Sequence, residues 1–314
     1  CVVECAQADA IIITETNVPN RENLSYFGDN DEAHGIYNFS LPPLLLHALV
    51  MGSSEYLSTW MKTMPPAQEG TVYFNFIASH DGIGLRPLEG LLDQSEVDSL
   101  LSVMQSFGGK ISRRETSDGE SRPYEINISL LDALQGTKNG MDKFGVERFV
   151  CAHAVMLGLE GIPAFYIHSL LCTHNDNERY EHTSQNRSIN RHQWSLAKLQ
   201  LLLDDADSMN HKVLGRLKQL IEIRKLQPAF HPNATQFTLQ LGNELFGFWR
   251  QSLDRRQSLF CIYNLTSTTQ ILPLLRLNLL LNNTWRELIS ETYLDESSLT
   301  WELSPYQTLW ITNC

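Results

Sequence analysis

The sequence has no long apolar run, no low-complexity tract and no closely spaced pair of cysteines. A membrane-spanning helix needs about 20 consecutive, mostly apolar residues, so we expect none here. The six cysteines are scattered, without a Cys-x-x-Cys pair or the spacing of a zinc site. This pattern favours free thiols in a reducing compartment, and we therefore expect a cytoplasmic protein.

Basic residues are also in deficit. The 24 Lys and Arg residues against 36 Asp and Glu residues give a formal net charge of −12. This charge argues against a nucleic-acid or anionic-membrane partner, although it leaves room for a local anion site. Hydrophobic residues make up 42% of the 314 residues and charged residues 19%, so the chain has enough apolar surface to bury a large core and is not disordered.

Four short runs of β-branched and aromatic residues predict strands, at residues 10–14, 35–39, 71–78 and 162–167. The runs at 10–14 and 71–78 are continuous, which is typical of strands buried on both faces of a parallel sheet. Helical patterns alternate with the strands, and each strand leads into a polar loop. This order predicts βα units with functional residues at the carboxyl ends of the strands.

Helix boundaries are predicted from capping residues. Ser53 is an expected N-cap, and Ser95 with Asp98 resembles a capping box. Two extended stretches flank residues 116–119 and predict a hairpin inserted near residues 108–130.

The periodicity changes to two from residue 235 onward. We expect a small all-β sandwich over residues 231–314, after an α/β domain over residues 1–230. Its strands are expected at 235–241, 244–250, 258–264, 270–276, 284–289, 298–303 and 307–312.

Two strand ends carry carboxylates, Glu15 after the first strand and Asp81 after the third. Transfer of a glycosyl group needs a carboxylic acid that protonates the leaving oxygen and carboxylates that stabilise an oxocarbenium-like centre. A nearby Asp81 charge would raise the pKa of Glu15 toward the value that a general acid needs. A structural role, such as helix capping, is the alternative reading of the two carboxylates on spacing alone.

Several segments resemble the sucrose phosphorylase branch of the α-amylase superfamily, which includes glucosylglycerate phosphorylases. The resemblance covers essentially the whole chain. Its segments are residues 13–19 (ITETNVP), 37–44 (YNFSLPPL), 78–84 (ASHDGIG), 161–166 (GIPAFY), 187–191 (RSINR) and 304–310 (SPYQTLW).

The resemblance implies the C-terminal half of a TIM (β/α)8 barrel, strands five to eight, followed by the β-sandwich domain. It implies that Glu15 is the general acid/base and that Asp81 stabilises the transition state. By the same resemblance His80 and Arg187 bind the glucosyl unit, Asp176 shares that task, and Asn17 lies where the acceptor binds.

The implied activity is phosphorolysis of a small α-glucoside to glucose 1-phosphate, with inorganic phosphate as co-substrate and no cofactor or metal. Asn17 and Glu89 favour glucosylglycerate over sucrose as the substrate. Four basic side chains are candidates for binding phosphate, and a solvated basic face is the alternative reading of them: Arg86, Lys110, Arg113 and Arg114.

Two alternatives stay open for the function: an α-glucosidase or amylase-type hydrolase, and a non-catalytic truncated remnant. Two alternatives also stay open for the residues: His80 with Asp81 as a structural pair, and Arg187 as a surface salt-bridge partner. The irregular spacing of the histidines argues against a metal site built from His168, His174 and His182. The tryptophans at positions 60, 194 and 249 have the pattern of packing residues, which favours a small, closed site over a long polysaccharide groove.

One part of the family's machinery is missing. The nucleophilic aspartate of the family lies in a G-x-R-x-D stretch, and this sequence has no such stretch. We therefore predict that the 314-residue chain alone transfers no glucosyl group. Half a barrel would also leave strand edges at residues 10–15 and 162–167 without partners, so we expect aggregation or pairing with another copy.

Overall fold

The structure is a computed structural model that describes residues 6–7, 9–115, 119–277, 279, 284–295 and 297–313. The strands are β1 (Ile13–Thr14), β2 (Gly35–Tyr37), β3 (Val72–Asn75), β4 (Ile83–Gly84), β5 (Lys110–Glu115), β6 (Ser121–Asn127), β7 (Gly136–Thr137), β8 (Gly140–Met141), β9 (Ile162–Pro163), β10 (Thr235–Thr238), β11 (Leu245–Gln251), β12 (Ser258–Asn264), β13 (Gln270–Pro273), β14 (Trp285–Glu287), β15 (Thr300–Leu303) and β16 (Thr308–Asn313).

The helices alternate with these strands up to residue 225. They are α1 (Asn20–Ser25), α2 (Leu41–Met51), α3 (Glu55–Thr63), α4 (Gln94–Ser106), α5 (Leu130–Ala133), α6 (Gly145–Gly158), α7 (Ile167–Leu170), α8 (Asn177–Thr183), α9 (Leu196–Asp204) and α10 (Met209–Lys225). Short 3-10 helices lie at Arg86–Leu88, Asn186–Asn190, Pro228–Phe230 and Leu274–Arg276.

The four predicted βα strands form one parallel sheet in the order β1-β2-β3-β9. This observation confirms the α/β class and the sequential strand order. The strands are shorter than the sequence predicts: β3 ends at Asn75 and β9 at Pro163, before the apolar runs that predicted them end. The segment after β9 turns into helix α7 at Ile167 instead of continuing as a strand.

The prediction that the first strand is buried on both faces is wrong. Ile11 is 73% exposed and Ile13 is 43% exposed, whereas Ile12 packs with the cluster around Ile36 and Tyr73. The reason is that β1 is an edge strand with one covered face. The register places Ile162, which is 37% exposed on β9, on the same face as Ile13. This face is called the open sheet face below.

Two of the predicted helix starts are also wrong. Helix α3 begins after Ser54 rather than Ser53, and the Ser54 side chain bonds to backbone carbonyls at Gly242 and Leu245 instead of capping its own helix. Helix α4 begins after Asp93, so Ser95 is already inside the helix. At Ser54 a tertiary contact, which the local sequence does not show, replaces the expected cap.

The hairpin inserted after β3 is present. Strands β5 and β6 pair antiparallel, and β4 joins the other side of β6. The predicted turn at residues 116–118 lies outside the described residues. This hairpin extends over the loop that follows β3, where Asp81 lies.

A separate antiparallel sheet follows residue 235, in the order β10-β11-β12-β16-β14. Strands β13 and β15 form a second sheet, and apolar side chains such as Phe260, Leu272 and Leu303 pack between the two. All seven strands predicted after residue 235 have counterparts. The boundary near residue 230 stays a prediction.

The main core joins the helices of the first part to the antiparallel sheet. Helix α2 is buried from Leu41 to Val50, and α6 packs on β12. The hydroxyl of Tyr263 on β12 donates to the carbonyl of Ala154 on α6 at 3.1 Å, and Trp310 Nε1 donates to that hydroxyl at 3.2 Å. The thiols at positions 151, 172 and 261 are free and buried, as predicted, whereas Cys1, Cys5 and Cys314 lie outside the described residues. Among the described helices, none is both long and apolar enough to cross a bilayer.

Candidate active site

Asp81 is the centre of a cluster of charged groups after β3. Its Oδ1 accepts hydrogen bonds from Arg187 Nη1 at 2.7 Å and from Arg191 Nη2 at 2.9 Å. The Nε2 of His80 lies 3.4 Å from the same oxygen. The Asp81 and Arg187 side chains are 37% and 42% exposed, so solvent and small ligands reach the cluster.

The backbone of this loop is fixed by side chains from two other segments. Asn127 Nδ2 on β6 donates to the carbonyl of Asp81 at 2.8 Å, and Arg191 Nε donates to the carbonyl of His80 at 2.6 Å. Gly82 has φ of +115°, and a Cβ there would lie 2.7 Å from both Asn127 Nδ2 and the carbonyl oxygen of Ile126. Only glycine fits this position, because both the dihedral angle and the close approach exclude a side chain.

Glu125 on β6 binds the edge of the Arg187 guanidinium that does not contact Asp81. Its Oε2 accepts from Arg187 Nε and its Oε1 from Arg187 Nη2, each at 3.1 Å. Burial lowers the pKa of Arg187, but the hydrogen bond to Glu125 and the attraction to Glu125 and Asp81 outweigh this effect and raise the pKa above its ordinary value. Arg187 is therefore a permanent cation between two carboxylates.

Glu15 lies at the same edge of the parallel sheet as Asp81. It follows β1 directly and is exposed. Strands β1 and β3 are separated by β2 alone, which corresponds to about 10 Å between strand axes. A Cβ on Gly84 would lie 2.6 Å from the amide of Asn17, and Arg86 Nη1 donates to the Asn17 carbonyl at 3.4 Å. The loop that carries Glu15 and Asn17 thus packs against the segment that follows Asp81.

Asp176 has other partners in this structure. Its carboxylate caps α8 by accepting from the amide of Arg179 at 2.9 Å, and it pairs with His192 Nδ1 at 2.6 Å. Burial raises the pKa of Asp176, but the bonds from Arg179 and His192 outweigh it and leave the pKa below its ordinary value. The predicted contact of Asp176 with sugar stays a prediction.

The four basic side chains that are candidates for binding phosphate have different protein partners. Lys110 Nζ lies 4.6 Å from the centre of the Tyr180 ring, and Arg113 donates to the Ser121 carbonyl at 2.6 Å. Arg114 lies 3.6 Å from Glu89. The Nε of Arg86 is buried and makes no hydrogen bond among the described residues, but it lies 3.9 Å from Glu89 Oε1. Arg86 also lies beside Asn17.

His168, His174 and the three tryptophans considered above have structural partners, whereas His182 is exposed on α8. His168 bonds to Thr173, and His174 pairs with Asp132. Within the described residues, no three His, Cys, Asp or Glu side chains are grouped to hold a metal ion. The three tryptophans pack as predicted: Trp60 is 2% exposed, Trp194 contacts His192 edge to face, and Trp249 stacks between Phe237 and Phe260.

Sequence reasoning missed two charged residues of the cluster. Arg191 lies in the RSINR segment, four residues after Arg187, but that spacing alone gives it no role. Glu125 is on the inserted hairpin, 62 residues from Arg187 in the chain. No local pattern indicates its partner, because only the folded hairpin brings it to the site.

The chain is similar to known proteins in sequence and in fold. No protein-family model matches the chain. The chain is 36% identical to glucosylglycerate phosphorylase of Escherichia coli (strain K12) over 312 residues, which are 99% of this chain and 54% of the relative. It is 30% identical to sucrose phosphorylase of Agrobacterium vitis over 222 residues, 66% of this chain and 41% of the relative.

Solved structures show the same fold. The crystal structure of sucrose 6F-phosphate phosphorylase from Thermoanaerobacter thermosaccharolyticum aligns with a TM-score of 0.68 at 23% identity, over 84% of this chain and 49% of that one. The chain spans about half the length of the curated relatives that it matches. It belongs to the family of the glucosylglycerate and sucrose phosphorylases.

Proposed function

We propose that this chain is one half of a retaining α-glucoside phosphorylase, the half that carries the acid/base and the sugar-binding carboxylate. The observation that carries this proposal is the convergence of Arg187, Arg191 and His80 on Asp81, next to the loop of Glu15. Homology to glucosylglycerate phosphorylases over 99% of the chain supports the reaction class.

The proposed roles follow from charge and position. Asp81 accepts hydrogen bonds from sugar hydroxyls and stabilises the positive charge that develops at the anomeric carbon. His80 and Arg187 bind the same ring. Glu15 protonates the oxygen of the departing acceptor, and in the second step it takes a proton from phosphate as the phosphate oxygen bonds to that carbon.

Retention of configuration needs a third carboxylate, which forms a covalent glucosyl intermediate. We propose that this nucleophile comes from the half of the barrel that has no counterpart in this sequence. The four parallel strands would be barrel strands five to eight, and the other strands would pair with β1 and β9 and cover the open sheet face. The exposure of Ile13 and Ile162 supports this arrangement.

We propose that the acceptor and phosphate bind beside Asn17 and Arg86. Glycerate and phosphate are both anions, and the buried Nε of Arg86 makes no hydrogen bond among the described residues, with the Glu89 carboxylate 3.9 Å away. A guanidinium binds a carboxylate or a phosphate well because its donors match two acceptor oxygens. This chemistry favours glucosylglycerate over sucrose as substrate.

The missing nucleophile supports a second candidate, a non-catalytic chain that binds sugar through Asp81 and Arg187. The two candidates differ in what happens when the missing half is supplied. A catalytic half would recover turnover, whereas a binding remnant would not.

The test is to incubate the chain with glucosylglycerate and phosphate and to measure glucose 1-phosphate, first alone and then with the unmatched half of the Escherichia coli relative added as a separate polypeptide. We expect no product from the chain alone, and product from the mixture. The product should fall by at least about 100-fold in Glu15→Gln, since a general acid contributes that much.

The matched control is Glu22→Gln, an exposed glutamate in helix α1 of the same loop region. Product from the chain alone at levels above the Glu15→Gln variant would contradict the missing-nucleophile prediction. A mixture that forms a stable complex but releases no product would favour the binding remnant. Product at equal rates with sucrose would contradict the preference for glucosylglycerate.

A further inference from the structure

Glu125 is a buried carboxylate whose contacts lead directly to the proposed sugar site. Its side chain is 3% exposed, although it lies on the inserted hairpin rather than in the parallel sheet. A buried charge is costly unless it is paired and hydrogen-bonded. Here the partners are the guanidinium of Arg187, at two points, and Asn127 Nδ2 at 2.8 Å.

The antiparallel register explains how the hairpin delivers this carboxylate. Glu125 faces Gly84 across the β4–β6 pair, and Ile126 beside it is fully buried. Asn127 donates from one amide nitrogen to both Glu125 and the carbonyl of Asp81. Asn127 on the hairpin therefore fixes both the Glu125 carboxylate and the Asp81 loop.

The contacts fix the orientation of Arg187. A guanidinium is planar, and Glu125 takes the Nε and Nη2 edge in a two-point fork. The remaining nitrogen, Nη1, is the one that donates to Asp81. Because the guanidinium is rigid, a rotation that carries Nη1 away from Asp81 also displaces Nε and Nη2 from Glu125.

The charges point to the same role. Two guanidiniums face the single carboxylate of Asp81. The negative charge of Glu125 offsets one of them, so Asp81 keeps a negative potential toward a sugar that approaches from solvent. With an uncharged residue at position 125, Arg187 would be a half-buried cation that keeps one carboxylate partner, Asp81. The guanidinium would then move closer to Asp81.

We propose that Glu125 is a positioning residue, which holds Arg187 beside Asp81 in the orientation that binds the glucosyl unit. This inference rests on the proposed function for its ligand, but the geometry of the pair is measurable without one. Glu125 touches no substrate in this proposal and acts only through Arg187.

The experiment uses the whole chain with nitrogen-15 in its arginines. The Arg187 Nε–H resonance is assigned by its loss in Arg187→Lys, and its exchange with solvent is followed by NMR. We expect exchange to be at least about tenfold faster in Glu125→Gln, because a tenfold change corresponds to the free energy of one charge-assisted hydrogen bond. Exchange in Glu125→Asp should be intermediate. Glu120→Gln is the matched control, because Glu120 is exposed on the same hairpin and pairs with Arg122 at 2.9 Å.

The second arm is a titration with glucose 1-phosphate. Glu125→Gln is expected to bind it about tenfold more weakly than wild type and the Glu120→Gln control. Unchanged Nε–H exchange in Glu125→Gln overturns the positioning role, whatever the chain binds. If wild type fails to bind glucose 1-phosphate while exchange is faster in the variant, the positioning role stands and the proposed function fails. Where Glu125→Gln does not fold, Glu125→Asp provides the same comparison.

Discussion

His153 on α6 is a fully buried histidine outside the candidate site. Its Nδ1 lies 2.8 Å from the carbonyl of Phe149, and its ring is stacked on Phe165 at 5.7 Å. Burial lowers the pKa of His153 from 6.5 to about 4, although the bond to Phe149 acts in the opposite direction. The folded protein therefore keeps this ring neutral in mildly acidic solution.

This residue is predicted to make stability depend on pH. The unfolded chain binds a proton to His153 below pH 6.5 and the folded chain does not, so stability is lost as the pH falls from 6.5 toward 4. The loss reaches about 2 kcal/mol at pH 5. Urea unfolding of wild type and His153→Gln at pH 7 and at pH 5 measures this loss. The difference in free energy of unfolding between the two proteins should be smaller at pH 5 than at pH 7 by that amount. Parallel pH profiles would contradict the prediction.

The residues of the site show what local sequence predicts and what it does not. The resemblance singled out Asp81, His80 and Arg187, and the structure brings these three together. It gave no role to Glu125 or Arg191, because each becomes meaningful only through a partner far away in the chain. Patterns of three or four residues cannot report such pairs.

At the scale of elements, α6 and strand β12 are joined by one buried hydroxyl. Tyr263 donates to the Ala154 carbonyl and accepts from Trp310. A Cβ on Gly158 would lie 2.4 Å from the same hydroxyl, so the helix approaches the strand closely there. The hydroxyl lies at this close approach and bonds to two buried polar groups, the Ala154 carbonyl and the Trp310 indole N–H.

Tyr263→Phe is predicted to lower the free energy of unfolding by about 1–3 kcal/mol, because it leaves the buried indole N–H of Trp310 without a partner and removes the bond to the Ala154 carbonyl. Denaturant unfolding monitored by tryptophan fluorescence measures the change. Tyr293→Phe is the control, since Tyr293 is 59% exposed. Equal stabilities for the two variants would show that the hydroxyl contributes nothing to the contact.

The types of the main elements were predictable, but their ends were not. Alternation of apolar residues identified the antiparallel strands well, since side chains on alternate positions face the core. The strand at residues 162–167 was predicted too long, because apolar and aromatic residues continue past the point where pairing with β3 stops. Burial of Ile11 and Ile13 was predicted wrongly, because a continuous apolar run does not show whether a second layer is present.

At the scale of the whole molecule, the open sheet face and two strand edges determine how the chain behaves in solution. Ile13 and Ile162 lie on this face, and β1 and β9 are the two edge strands of the parallel sheet. Exposed apolar sheet surface and unpaired backbone groups favour association. We therefore predict that the isolated chain self-associates at micromolar concentration.

Substitution of the open sheet face tests this prediction. The double variant Ile13→Lys with Ile162→Lys should lower the apparent mass measured by sedimentation, because charged side chains oppose burial of that face. The control is Leu275→Lys, as Leu275 is 90% exposed on the antiparallel part. A wild-type chain that sediments as a monomer would contradict the prediction. If Leu275→Lys lowered the apparent mass by the same amount, the self-association would involve a surface other than the open sheet face.

The span of the site along the chain has a consequence for the order of events during folding. Asp81, Glu125 and Arg187 come from three segments, and the pairs are 106 and 62 residues apart. Such distant contacts close large loops, which is slow compared with the formation of a helix. We therefore expect the charged cluster to be among the last features to assemble, so that a ligand bound there would shift the equilibrium away from partly assembled intermediates.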